Sequence, residues 1–313
     1  MKLISIIVPV YNEEQSLPEL HERLDKVFDK LKENYNFELI FVNDGSRDKS
    51  MQIINSICNN NNYAKFIDFS RNFGKEIATS AGLHHARGDA VVILDADLQH
   101  PPELIPQFLE KWTSDKQMII GIRKKRLDKC LFKKTCSKLF YLIMNLISET
   151  GITANTTDFR LIDKKIINEF KNFTEHKRIT RGILDWIGFD RDYVEFESPK
   201  RKYGKPGYSF IRLTRLAINS FVTHSLLPLK LAGYLGIFIV ISSTLLGLYL
   251  IITQYILHKW ELPFSGTAQL AVLTLFLIGI VLSCLGIIAL YIGNIHAEVT
   301  NRPIYIIKNK KLD

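Results

Sequence analysis

The sequence predicts an α/β fold, a mainly parallel sheet covered by helices, followed by two membrane-spanning helices. Three observations carry this. Apolar runs of strand length alternate with helical patterns up to residue 122. Acidic residues gather where three of those runs end. Charge then nearly vanishes: of 41 Lys+Arg and 32 Asp+Glu, only eight lie beyond Lys230.

The strand-length runs are Leu3–Val10, Phe37–Val42, Lys65–Phe69, Ala90–Leu94 and Met118–Ile122, with helical patterns near 16–33, 47–61, 75–87 and 102–114. Such alternation builds a parallel sheet with helices on its faces. The first run is short and leads straight into Tyr11-Asn12-Glu13-Glu14, so it reads as a buried strand and not as a signal peptide.

The apolar runs Leu231–Leu257 and Leu262–Ile295 hold 27 and 34 residues without Asp, Glu, Lys, Arg or His. About 20 apolar residues span a bilayer. Lys259 and Glu261 mark a short connector, which makes a hairpin. Arg212, Arg215 and Lys230 precede it, and Arg302, Lys308, Lys310 and Lys311 follow. Positive-inside asymmetry puts both ends in the cytoplasm of an inner or plasma membrane, as a multi-pass protein. Glycines along the spans suit helix pairing within or between chains, with a homodimer or homotetramer as the expected assembly. The apolar stripe Phe210, Leu213, Ala217, Phe221 and the basic-then-apolar segment Lys129–Ile147 read as surface helices at a lipid bilayer or as core helices. The expected division is a cytoplasmic α/β domain at 1–207, an amphipathic juxtamembrane helix at 208–229, two transmembrane helices at 230–295 and a cytoplasmic tail at 296–313.

Cys58, Cys130, Cys136 and Cys284 match no zinc or disulfide spacing. The net charge of +9 calls for an anionic partner. Acidic strand ends and apolar spans argue against nucleic acid.

In open α/β sheets, ligands bind beyond the carboxyl ends of the strands. There lie Tyr11-Asn12-Glu13-Glu14, Asn43-Asp44-Gly45-Ser46 and Asp95-Ala96-Asp97-Leu98-Gln99-His100. No G-x-G-x-x-G fingerprint and no Walker motif is present, which excludes dinucleotide and P-loop sites. Asp95 and Asp97, two apart on a segment expected to be extended, point to one side. Their hard oxygens, with Gln99 beyond, suit Mg²⁺ or Mn²⁺ bridging a diphosphate. Asp44 reads either as Asp-Gly turn chemistry or as an acceptor for a base or ribose, and Glu13 as a helix-cap carboxylate or a nucleotide contact. His84 and His85 read as structural, and His100 as a neighbour of the acidic triplet.

These motifs, with Ser70-Arg71-Asn72-Phe73-Gly74-Lys75, Asp158-Phe159-Arg160 and Tyr291-Ile292-Gly293…Arg302-Pro303-Ile304-Tyr305, resemble the inverting family-2 glycosyltransferases with the GT-A fold. Within these they resemble the polyprenyl-phosphate glycosyltransferases, such as dolichol-phosphate mannose synthases and, with two C-terminal spans, bactoprenol glucosyltransferases. The resemblance covers nearly the whole chain. It implies transfer of one sugar from a nucleotide-sugar, UDP-glucose first, to polyprenyl (undecaprenyl) phosphate. It implies Asp95, Asp97 and Gln99 as ligands of Mg²⁺ or Mn²⁺, and Pro9, Tyr11, Glu13, Asp44, Lys75 and Asp95 around the nucleotide. It puts Arg123, and Arg126 with it, against phosphate, and Asp158 near the acceptor as base or positioning group. Arg201, with Lys202 and Lys205, belongs to a loop over the site. A phosphate monoester with a second pKa near 6 is already nucleophilic at neutral pH, so a strong general base is not required.

Overall fold

The structure is a computed structural model that describes residues 1–113, 116–124, 156–175, 180–197, 266–300 and 302–312, with six further positions between 234 and 245. The chain divides into two units, one from Met1–Asn145, Glu149–Pro206 and Arg302–Asp313, the other mostly Gly207–Asn301.

In the first unit, β1 (Lys2–Val10), β2 (Tyr35–Asn43), β3 (Ala64–Phe69) and β4 (Ala90–Ile93) alternate with α1 (Leu17–Leu31), α2 (Ser50–Asn60) and α3 (Lys75–His85). A 3₁₀ turn (Pro102–Leu104) and α4 (Ile105–Thr113) lead to β5 (Met118–Arg123). Then come β6 (Thr156–Asp163), α5 (Lys164–Phe170), α6 (Thr180–Ile187), β7 (Arg191–Phe196) and β8 (Ile307–Lys311). All five expected strands and all four expected helices are present.

The eight strands form one sheet in the order β7-β5-β6-β4-β1-β2-β3-β8. Its centre is parallel, as expected: β1 pairs with β2 and β4, and β2 with β3. Two antiparallel strands were not anticipated. β6 lies between β4 and β5, and β8 covers the edge at β3. The residues expected as a separate tail thus supply a strand to the first unit.

Central strands are buried on both faces, which explains their continuous apolar runs. Ile4, Ile6, Val8 and Val10 join one core cluster, and Ile7 joins the other. Leu17, Leu20, Leu24, Val27 and Phe28 bury one stripe of α1. On the opposite face α3 presents Ala78, Ala81 and Gly82. A Cβ at Gly82 would collide with the Ile7 side chain. Small residues therefore bring α3 close to the sheet and fix where its first residue, Lys75, stands.

The second unit contains α7 (Gly266–Val299), 34 residues long. It exposes Leu270, Leu273, Ile278, Val281, Leu285 and Ile292, among others. Among the described residues no helix is long and apolar enough to cross a membrane. The expected first span, apart from those six positions, the surface helices 129–147 and 208–229, and the loop with Arg201, Lys202 and Lys205 lie outside the described residues, as does Arg126.

Candidate active site

The loops after β1 and β2 are stitched together. The Asn12 amide donates to Ser46 Oγ at 3.0 Å, and the Arg47 amide to Asn12 Oδ1 at 2.8 Å. Asn12 holds φ +55°, a value that Asn tolerates better than most residues. Pro9 is buried in β1, while Tyr11 is 44% exposed beyond it. The Glu13 carboxylate accepts from Ser16 Oγ at 2.8 Å, and its carbonyl from the Leu17 amide at 3.1 Å. These bonds favour the helix-entry reading of Glu13.

Asp44, 2% exposed, is held by backbone amides. Phe73 N–H donates to Oδ1 at 2.6 Å, and Gly74 N–H to Oδ2 at 2.9 Å. Burial raises its carboxyl above the ordinary range, and those amides offset part of the rise. Gly45 follows at φ +65°, and a Cβ there would strike the Arg71 backbone. Glycine is needed because the Ser70–Gly74 loop lies directly on this turn.

β4 ends at Ile93, and the chain turns at once. Asp95 thus stands just before a turn and Asp97 within it, so the two do not share the extended segment that their spacing suggested. Leu98 takes φ +62°, a strained value for a branched side chain that burial in the core overrides. The Gln99 amide donates to Asp97 Oδ1 at 3.1 Å, and Arg123 Nη2 to Gln99 Oε1 at 3.2 Å. His100, 2% exposed, stacks on Phe159 at 5.3 Å. Its Nδ1 accepts the Asp95 amide at 3.2 Å. Burial lowers its pKa, so the ring is neutral, and its 3.6 Å approach to the Asp95 carboxylate is a contact without an ion pair.

Lys75 joins the two ends of the site. Its Nζ is 2.6 Å from Asp95 Oδ1 and 2.9 Å from Asp158 Oδ2. Desolvation works against its charge, but the two carboxylates prevail and raise its pKa. Arg181 Nη2 donates to Asp158 Oδ1 at 2.6 Å. Burial alone would raise the Asp158 carboxyl, yet Lys75 and Arg181 hold it well below the usual range. Arg160, two residues further along β6, binds Asp185 at 2.8 Å. Lys75, Asp158, Arg160, Thr180 and Arg181, among others, line a small open cleft at this cluster. Arg181 carried no motif in the sequence; only the fold brings it to Asp158.

Asp95, Asp97 and Gln99 carry the hard oxygens that a divalent cation would take as ligands. Among the described residues no three His, Cys, Asp or Glu side chains cluster to hold a metal. The set fits an ion that takes its remaining ligands from a substrate phosphate, as Mg²⁺ commonly does. The Lys75 ammonium between Asp95 and Asp158 shows that this position favours positive charge.

Residues 5–170 match the family model for glycosyl transferase family 2. An uncharacterized glycosyltransferase of Bacillus subtilis (strain 168) is 41% identical, over 98% of this chain and 96% of its own length. The bactoprenol glucosyl transferase of Shigella phage SfV is 37% identical, over 98% and 99%. A prophage bactoprenol glucosyl transferase homolog of Escherichia coli (strain K12) is 35% identical, over 98% and 99%. With a family model over more than half of its residues and relatives matched along nearly their full lengths, this α/β chain of GT-A type is a glycosyltransferase and belongs to glycosyl transferase family 2.

Proposed function

We propose that this glycosyltransferase moves a single sugar from a nucleotide-sugar to polyprenyl phosphate, with inversion, at the cytoplasmic face of a membrane. The observation that carries the reading is the Lys75–Asp158–Arg181 cluster beside Asp95. It sets two cations against one firmly ionised carboxylate, next to the acidic turn. Relatives named as bactoprenol glucosyl transferases support the acceptor class and make UDP-glucose the first donor to try. UDP-GlcNAc, UDP-galactose and GDP-mannose follow.

In this reading the bond from the anomeric carbon to the leaving nucleoside diphosphate breaks as an acceptor phosphate oxygen attacks from the opposite face. Asp95, Asp97 and Gln99 hold Mg²⁺ or Mn²⁺, which offsets the charge on the diphosphate. Arg123, bonded to Gln99, meets phosphate beside them. Two anionic substrates repel, and Lys75 and Arg181 lower that cost. Asp158 is too weak a base to be needed for proton removal, and a phosphate already dianionic does not need it. Its work is to hold Lys75 and Arg181 in place. The apolar runs 231–257 and 262–295 anchor the chain as a membrane hairpin with both ends cytoplasmic. The bare apolar side chains of α7 support this, since a helix apolar all round needs cover.

The test is a donor screen with the full chain in lipid or detergent and undecaprenyl phosphate as acceptor. Each labelled nucleotide-sugar is offered with Mg²⁺ or Mn²⁺, and label is followed into the organic phase. Chelator-sensitive transfer from one donor is expected. Transfer from none of them, with no binding of UDP or GDP, would overturn the reading.

A further inference from the structure

We propose that Tyr305, on the C-terminal segment leading into β8, is a positioning residue for the nucleotide end of the site. The assignment rests on the function proposed above. Tyr305 stacks on Phe69, with ring centroids 5.0 Å apart and planes at 20°. Phe69 meets Phe73 edge-on at 5.6 Å. The Phe73 amide is one of the two that hold Asp44, and Gly74, which gives the other, is followed directly by Lys75. Backbone pairing runs alongside this stack: the Ser70 amide donates to the Ile306 carbonyl at 3.0 Å. The register of β3 against β8 shifts at Asp68/Phe69, where the loop begins.

The Ser70–Gly74 loop is therefore clamped from two sides. On one side its backbone rests on the Asp44-Gly45 turn so closely that a Cβ on Gly45 would not fit. On the other, Tyr305 and Phe73 pack against the same core cluster. The Arg71 guanidinium caps the Phe73 ring at 4.0 Å. Loss of the Tyr305 ring frees Phe69 and Phe73 to shift, and with them the amides on Asp44. In this arrangement Tyr305 acts on the site through the loop.

The experiment compares wild type, Tyr305→Leu and Tyr305→Phe as full chains in detergent. Hydrogen exchange is read at residues 71–75, UDP and GDP are titrated with Mn²⁺, and donor and acceptor KM are measured separately. Tyr305→Leu is expected to speed exchange at 71–75 and to weaken nucleotide binding and raise donor KM by about tenfold. Acceptor KM stays within about twofold, and Tyr305→Phe, which keeps the ring, restores most of the loss. Unchanged exchange at 71–75, or donor and acceptor KM rising together with a lowered Tm, would overturn the assignment. If wild type binds neither UDP nor GDP while Tyr305→Leu still speeds exchange, the proposed function fails and the link from Tyr305 to Asp44 stands.

Discussion

Asp44 and Asp158 are the same residue type at two ends of one site, and their surroundings treat them oppositely. Asp44 is nearly sealed, and neutral amides of Phe73 and Gly74 hold it. Asp158 is partly open and lies between two full positive charges, Lys75 and Arg181. Burial governs the first, and its pKa rises; cations govern the second, and its pKa falls. The contrast separates tasks. In the proposed function Asp44 would shape the nucleotide pocket, whereas Asp158 would organise the cations that meet a phosphate. Lys75, one residue after Gly74 and bonded to both Asp95 and Asp158, keeps the two ends in register.

The largest expected effect lies where the two ends meet. Asp95→Ala or Asp97→Ala should cut transfer by about 10²–10³-fold or more, with membrane integration of the protein unchanged in flotation. Near-normal turnover in either variant would remove the acidic turn from the mechanism. Next come the two contrasted carboxylates. Asp158→Asn should lower kcat by about 10- to 100-fold with nucleotide affinity kept, because Lys75 and Arg181 lose their shared anchor. Asp44→Ala should weaken nucleotide binding by about tenfold and move kcat less. Equal losses of nucleotide affinity in both variants would erase the division of labour.

The smallest effect is the sharpest in sign. For Asp158 the folded carboxyl is more acidic than the unfolded one, so the unfolded chain takes up the proton first as pH falls. Its contribution to stability is present above the unfolded value of about 3.9 and is lost as pH drops below it. For Asp44 the folded value is raised. Its contribution is present below the unfolded value and is lost as pH rises through the raised one. Thermal unfolding followed between pH 3 and pH 6 should therefore show a gentler acid-side loss in Asp158→Asn than in wild type. Asp44→Asn should show a steeper one. Parallel curves for all three proteins would mean that the two environments do not differ as described.

Much of this was legible in the sequence, for a physical reason. A parallel strand buried on both faces must be apolar throughout, so β1 to β4 stand out as runs, and acidic residues mark the carboxyl ends of β1, β2 and β4. β6 and β8 hide because they obey other rules. Asp158 and Arg160 interrupt the apolar pattern of β6, as site-facing residues do. β8, Ile307-Lys308-Asn309-Lys310-Lys311, is a polar edge strand with all but its first residue exposed, and basic residues are a common guard on such edges. Only its pairing with β3 makes it a strand. Arg181 belongs to the same group of residues: a single arginine in a basic stretch carries no pattern until α6 brings it to Asp158. The placement of Asp97 failed more narrowly, since its spacing suggested an extended segment and the positive φ at Leu98 curls the chain instead.

The pairing of β3 with β8 joins Phe66 to Lys311, positions separated by most of the chain. Contacts so distant in sequence form late in folding. During synthesis, β1 to β4 and the acidic turn have left the ribosome long before residue 305 exists. The nascent enzyme therefore carries Asp44, Asp95 and Asp97 well before it has the Tyr305 ring that stacks on Phe69. The apolar segments between 231 and 295 must also be made first. Completion of the edge strand thus orders biogenesis in time: the first unit closes its sheet only after the apolar segments have emerged.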